Sequence, residues 1–545
     1  MECSHGESES GCGSDLASIC CRRRWSVYWM LIVCSLGVMA ARILTLGDAS
    51  SGELPFFSAN DRSRWCTVRA LGDEGVYSID RVLGLANGRR WDTIDKVVHR
   101  GRDGRFHAYS SKPALWPTLW AAEYWALKAL TGLNFTDHPV WVMRLLLVVN
   151  HGGLWLLFLF SLAQVVESIP VRDGIRYYVL LAAAFGTYLS PFGMVFNNHF
   201  PAAVLVMVSL MGGVRIWNRP DSSRWWYALV GLASALAAAN ELPALSWVAV
   251  AGGLMAWRSA SRTLVGFVPP ALLVGGCFFL TNWAAHGTWS PPYAHRGDGA
   301  LIATVEGDWE ARLDRGRLPL PLRDAAESVL GAPVVKVERA AWPSATREPV
   351  ARWIVRDLAG DALSIVRVRD RYELREWDNW YDYPGSYWLT TNRKKSEVDR
   401  GQADVGLYGF HLLLGHHGFF SLTPLWIMGL AGLWVLVFDG RWNLRWWGVV
   451  GILLSLVVVG FYLTRPEMDR NYGGMTSGPR WLFWLIPFYL VGLVPIVDGL
   501  GRFRWGYWLC LVVLGLSVLS AWYAMDNPWV HPWLYEVWSW TGLPG

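Results

Sequence analysis

Asp61 and Arg64 stand about one helical turn apart in the stretch FSANDRSRWCTVRALGDEGVYSID (57–80), close behind the first apolar run of the chain. Asp61, Arg64, Trp65, Val68 and Leu71 recur at helical spacing, the pattern of an amphipathic helix on a membrane surface. A carboxylate held there can take the proton of a hydroxyl. Further on, YSSKPALWPTLWAAEYW (109–125) offers Ser110 and Ser111 as capping residues and Pro113 for a first turn. Lys112 then lies near a helix N-terminus, against the helix dipole, and a bound anion such as a phosphate relieves that conflict. The plain alternative is a lysine that snorkels and only anchors the helix. Arg480 follows a glycine-rich stretch, YGGMTSGPR, whose backbone N–H groups can come close to an anion.

More polar groups gather at the ends of apolar runs. FNNHFP contributes Asn197, Asn198 and His199; AANELP contributes Asn240 and Glu241. GFHLLLGHHGFFSLTP brings His411, His416 and His417, and DRNYGGMTSGPRW brings Asp469, Arg470, Asn471 and Tyr472. Ionisable groups at a membrane are functional candidates by default, so Arg64, His199, Glu241, His416, His417 and Tyr472 are candidate substrate-binding residues. Each also has a structural reading: helix caps for Glu241 and the asparagines, backbone-bonded interface rings for the histidines. His416-His417 has no third ligand at fixed spacing, so no metal site is assigned. The aromatic run EWDNWYDYPGSYW (376–388) suits a small-domain core or a membrane-surface belt better than a sugar platform.

The elements that must position these groups are set by composition. The 545 residues are 53% hydrophobic and 17% charged, with 36 Trp, which is the make-up of a polytopic membrane protein. A net charge of +5 gives no ground for nucleic-acid binding. Cys66 is the lone cysteine in a polar segment beyond the leader, so there is no disulfide framework. Apolar runs at 25–46, 140–163, 175–192, 199–216, 225–240, 242–257, 263–284, 417–438, 445–464, 480–497 and 505–524 predict about eleven transmembrane helices. The run 113–130 decides sidedness. If it lies in the interface, then Arg22–Arg24, Arg172, Arg176, Arg215, Arg219, Arg224, Arg258, Arg262, Arg441, Arg445, Arg502 and Arg504 all fall inside, as the positive-inside rule requires. Two large segments then face outward, 47–138 and 285–412. Within the second, RWIVRDLAGDALSIVRVRDRYELREW alternates apolar and polar residues as short β-strands do.

The acidic residue behind the first helix, followed by Lys112-Pro113-Ala114-Leu115 before an apolar helix, resembles the C-type glycosyltransferase superfamily. The similarity is to protein O-mannosyltransferases and bacterial aminoarabinose transferases, which carry Asp-Glu-x-x-Tyr and Lys-Pro-Pro-Leu at these places. Here the counterparts are Asp61-Arg62-Ser63-Arg64-Trp65 and Lys112-Pro113-Ala114-Leu115. Arg62 replaces the second carboxylate, which removes the pair that would coordinate a metal. Asp73 or Glu74 becomes the acid if the motif is displaced by one turn or more. The resemblance implies an inverting transfer from a polyprenyl-phosphate sugar, with Asp61 as base and Lys112 and Arg480 on the donor phosphate. No cofactor is required, and a divalent metal has no support.

The sequence thus predicts an all-α polytopic membrane protein with external juxtamembrane helices and a small β-containing external insertion. Its parts are a cytosolic leader (1–24), an N-terminal transmembrane module (25–284), the insertion (285–412), C-terminal helices (413–525) and an external tail (526–545). The expected partners are a polyprenyl-phosphate-linked sugar, an acceptor of unknown kind and membrane lipids, with the site on the outer face of what is read as a bacterial inner membrane. The rival reading is a transporter or lipid-linked sugar flippase, which calls for charges in mid-span or repeated halves, and the sequence shows neither.

Overall fold

The computed structural model describes residues 12–85, 88–219, 221–340, 351–389 and 398–542. In hydrocarbon a chain must satisfy its own N–H and C=O groups, so the apolar runs fold as helices. Among the described residues, seven are long and apolar enough to cross a membrane: Cys21–Thr45, Pro139–Glu167, His199–Asn218, Ala260–His286, Arg445–Leu463, Arg480–Leu500 and Arg504–Tyr523. The other four expected spans are shorter helices: Asp173–Phe185 with 13 residues, Arg224–Asn240 with 17, and Leu245–Arg258 and Leu425–Phe438 with 14 each. Their apolar runs are cut by local breaks. Gly186 ends the first, Glu241 and Pro243 part the second from the third, and the fourth starts only after Thr423-Pro424.

Helices Leu425–Phe438 and Ile486–Leu500 cross with their backbones in contact. A Cβ at Gly432 would sit 1.6 Å from the Gly492 carbonyl oxygen, and one at Gly492 would sit 2.3 Å from that of Gly429. Small residues allow such an approach between membrane helices. The crossing fixes the helix that begins just beyond Arg480.

The segment after the first helix folds into helix Ala59–Glu74, strands β1 (Lys96–Arg100) and β2 (Phe106–Ser110), and helix Leu115–Thr131. Pro117, Trp120, Ala121 and Tyr124 form the buried stripe of the last helix, at the i, i+3, i+4, i+7 spacing of one face. Trp65 from the first helix meets Trp120 and Phe196 with ring centroids at 5.4 and 5.0 Å.

The insertion is a five-stranded antiparallel sheet of β3 (Arg296–Glu306), β4 (Lys336–Arg339), β5 (Arg352–Arg356), β6 (Ala362–Val368) and β7 (Arg371–Asn379), in the order β3-β7-β6-β5-β4. Trp353, Val355, Leu363, Ile365, Tyr372 and Leu374 pack from one face onto Leu313, Leu322 and Ala326. The aromatic run beyond β7 joins this sheet to the β1–β2 hairpin. Val98 N donates to Trp380 O at 2.9 Å, and the rings of Tyr109, His99, Trp380 and His295 stack in series with centroids 4.4, 4.0 and 3.7 Å apart. His99 Nε2 also meets His286 Nδ1 at 3.0 Å, which ties the joint to the end of helix Val268–His286.

Candidate active site

Helix Ala59–Glu74 opens on a capping box. Ser58 is extended, its Oγ accepts from Asp61 N, and the Asp61 carboxylate reaches back in return. Asp61 Oδ1 accepts from Ser58 N (2.9 Å), Ser58 Oγ (3.1 Å) and Arg62 N (2.7 Å), and Oδ2 accepts from Phe57 N (3.0 Å). Asp61 has no exposed surface. Three of these donors converge on Oδ1, while Oδ2 keeps a second acceptor position open. Asp61 was expected to be the base. In the structure its carboxylate caps the N-terminus of helix Ala59–Glu74, as the pattern Ser58-x-x-Asp61 favours.

One turn on, Arg64 is 3% exposed. Its Nη2 donates to Asn198 Oδ1 at 2.6 Å, and its Nη1 donates to Asn60 O at 3.0 Å and to Asn60 Oδ1. The guanidinium therefore bridges this helix and the start of helix His199–Asn218.

The carboxylate that meets the cations is Asp95. In the hairpin, Lys96 pairs with Ser110, so Asp95 lies opposite Ser111, whose N donates to Asp95 O at 3.1 Å. Ser63 Oγ donates to the same carbonyl at 2.6 Å and meets Ser110 Oγ at 2.6 Å. These bonds hold the Asp95 backbone against helix Ala59–Glu74. Its side chain pairs with Lys112, Nζ to Oδ2 at 2.9 Å. The helix after Lys112 starts at Leu115, with Ala114 as a cap that makes no side-chain bond. Ser110 does not cap it as expected; its Oγ accepts from Lys112 N at 3.2 Å. Lys112 thus sits on the turn between strand and helix.

The electrostatics describe one cluster. Burial lowers the Lys112 ammonium to about 8; Asp95 opposes the shift, and Arg64 and Arg480 add to it. Burial lowers Arg64 to about 10, with Asp95 opposing and Arg480 adding. Burial raises Glu241 to about 8, against the pull of Arg480 and Arg64. Arg480 Nη2 donates to Gly473 O at 2.5 Å, and its guanidinium lies 4.4 Å from the Trp529 ring. Its Nε and Nη1 are buried without a hydrogen-bond partner among the described residues. Glu241 (6% exposed) accepts from Asn198 Nδ2, and His199 Nδ1 lies in close contact with the same oxygen, Oε1.

Of the residues singled out in the sequence, Arg64, Lys112, His199, Glu241 and Arg480 come together here. His416, His417 and Tyr472 form a separate group. His416 packs against His411 and His417 with centroids at 3.8 and 4.6 Å, and His417 stacks on Tyr472 at 4.8 Å. Burial lowers His416 to about 3, so its ring is neutral. Among the described residues, no three His, Cys, Asp or Glu side chains are arranged to hold a metal ion. Asp73 accepts from Tyr124 Oη (2.6 Å) and pairs with Lys128 (2.8 Å), while Glu74 is exposed and lies 3.8 Å from Arg81. Sequence reasoning missed Asp95. The sequence carries only the β-branched pair Val97-Val98 after it and the turn residues Asp103-Gly104 before FHAYS, a weak hairpin signal.

No protein-family model and no curated protein matches the chain. Among solved structures it is similar to the S. cerevisiae protein O-mannosyltransferase Pmt1–Pmt2 complex bound to the sugar donor. The identity is 13%, over 95% of this chain and 92% of that chain, with a TM-score of 0.47.

Proposed function

We propose that the protein is an integral-membrane glycosyltransferase that moves a sugar from a polyprenyl-phosphate donor to an acceptor hydroxyl, on the side of the membrane that carries the insertion. The supporting observation is the group of Arg64, Lys112 and Arg480 around Asp95, with Arg64 and Asp95 buried and Lys112 and Arg480 half-buried, in which Arg480 has two donors without a partner among the described residues. Three cations held near one carboxylate are suited to a further anion, and burial strengthens each interaction with it. The site lies at helix ends, so a lipid tail can stay among the helices while its phosphate reaches the cations.

The donor already contains its activated bond. The acceptor oxygen attacks the anomeric carbon, and its proton passes to the Asp95 carboxylate. The carbon–oxygen bond to phosphate breaks, and its electron pair stays on the phosphate oxygen. Lys112, Arg64 and Arg480 balance the charge that grows there. A single displacement of this kind inverts the sugar carbon. Asp61 holds the helix that presents Arg64 and does not touch the reacting atoms.

Lipid mass spectrometry tests the proposal. Cells carrying Asp95→Asn are expected to accumulate a polyprenyl-phosphate sugar that wild-type cells consume. An unchanged lipid profile, with the variant folded and inserted in the membrane, would remove the assignment.

A further inference from the structure

Glu241 has no direct part in the transfer just described, yet it is buried beside the cations. Its backbone is fixed: Glu241 N donates to Ala237 O at 2.8 Å and its carbonyl accepts from Ala244 N at 2.9 Å. Any residue could close the helix with those two bonds, so they do not explain an acid at this position. The side chain makes a different connection. Glu241 Oε1 accepts from Asn198 Nδ2, which also donates to Asn240 O at 3.0 Å, while Asn198 Oδ1 accepts from Arg64 Nη2 at 2.6 Å. A carboxamide accepts on one side and donates on the other. With acceptors facing its nitrogen, the Asn198 oxygen must face Arg64.

We infer that Glu241 is a positioning residue that sets the grip of Arg64 on the donor phosphate through the Asn198 carboxamide. The inference rests on the donor reading proposed above. An acceptor is required at position 241, and a neutral one serves best. A full carboxylate beside Arg64 and Arg480 would compete with the phosphate for their charge. Burial holds Glu241 up to about 8, so at neutral pH it is mostly the uncharged acid and still offers Asn198 an oxygen. It orients the cation without neutralising it. His199 Nδ1 lies in contact with the same oxygen.

A double-mutant cycle on the full-length protein in detergent tests this, with a polyprenyl monophosphate as probe and its Kd as readout. Arg64→Met and Glu241→Leu are each expected to raise Kd about 10-fold, and the double variant to be little worse than either, a coupling of about 1.4 kcal/mol. Glu241→Gln, which keeps an acceptor oxygen, is expected to bind within about threefold of wild type on the same conversion. Asn198→Asp accepts from Arg64 but cannot donate to residue 241, so in that background Glu241→Leu should have no further effect. Independent effects in the Arg64 cycle, about 100-fold in the double variant, would overturn the assignment, as would Glu241→Leu and Glu241→Gln binding alike. If Glu241→Leu fails to fold, comparing Glu241→Gln with Glu241→Ala gives the same decision. Wild-type protein that does not bind the probe would end the donor reading and this inference together; wild-type binding without coupling ends only this one.

Discussion

Asp61→Asn and Asp95→Asn should separate folding from chemistry. At position 95 the carboxamide cannot take a proton, and a positioned base typically contributes about 10²- to 10⁴-fold in rate, or about 3–5 kcal/mol of barrier. We expect Asp95→Asn to lose turnover by that factor while its melting temperature stays near wild type. Position 61 behaves differently. Its carboxylate accepts from four donors, three on Oδ1 and one on Oδ2. In Asp61→Asn the amide oxygen can serve the three, but the amino group faces the Phe57 N–H, which leaves a buried donor unsatisfied at a cost of about 1–3 kcal/mol. Loss of the negative charge at the helix N-terminus adds about 0.3–1 kcal/mol. The expected outcome is a protein less stable by about 2–3 kcal/mol whose folded fraction still turns over. The assay is sugar transfer from the purified lipid donor in detergent, alongside thermal melts of the same samples. The reasoning is refuted if Asp61→Asn melts like wild type and is inactive, or if Asp95→Asn retains full activity.

Arg480→Met should lower kcat/KM by about 10²- to 10³-fold, the usual cost of losing one charge-stabilising donor in a buried site, measured by initial rates at low donor. Lys112 is cationic below about 8 and neutral above it, so kcat/KM should be level through neutral pH and fall as pH rises past 8. Because Glu241 also titrates near 8, the test is made in a Glu241→Gln background: there Lys112→Arg keeps its charge and should extend the level region upward, and a decline left at the same pH would discount Lys112 as its source. Trp65, fully buried against Trp120 and Phe196, should cost about 3–5 kcal/mol on change to Ala, read as a lower melting temperature. Gly432→Val places carbons where the Gly492 carbonyl now lies, so it should abolish the folded, monodisperse protein in size-exclusion chromatography.

Some of this was legible in the sequence. Alternation in 352–377 marks β5 to β7 because one face packs Trp353, Val355, Leu363, Ile365, Tyr372 and Leu374 into an apolar core while the other carries Arg352, Ser364 and Glu373 among its residues. The spacing of Asp61, Arg64, Trp65 and Val68 marks a helix, but periodicity cannot say which way a side chain turns. Asp61 turns back to its own N-terminus, while Arg64 reaches across to Asn198. The four short helices were hidden because a hydropathy window averages across a proline or a tight turn. Asp95 was the hardest to read. Nothing local distinguishes it from Asp92 three residues earlier, whose side chain pairs with Lys96 instead. What selects Asp95 is a non-local fact, the register of β1 on β2, which places Ser111 and Lys112 beside it.

That register depends on the ring stack between the hairpin and the insertion. In a strand, a slip of one residue exchanges the two faces, so a slipped β1 would turn Asp95 away from Lys112. The Tyr109–His99–Trp380–His295 stack, with the bond from Val98 to Trp380, opposes that slip from outside the hairpin. The insertion therefore divides into two regions with unequal freedom to change. Near β4, at the far edge of the sheet from β3 and β7, the chain can gain or lose residues while Asp95 keeps its place. Between Asn379 and Tyr381 a single added residue would reach Asp95, although neither position lies in the cluster of Lys112, Arg64 and Arg480.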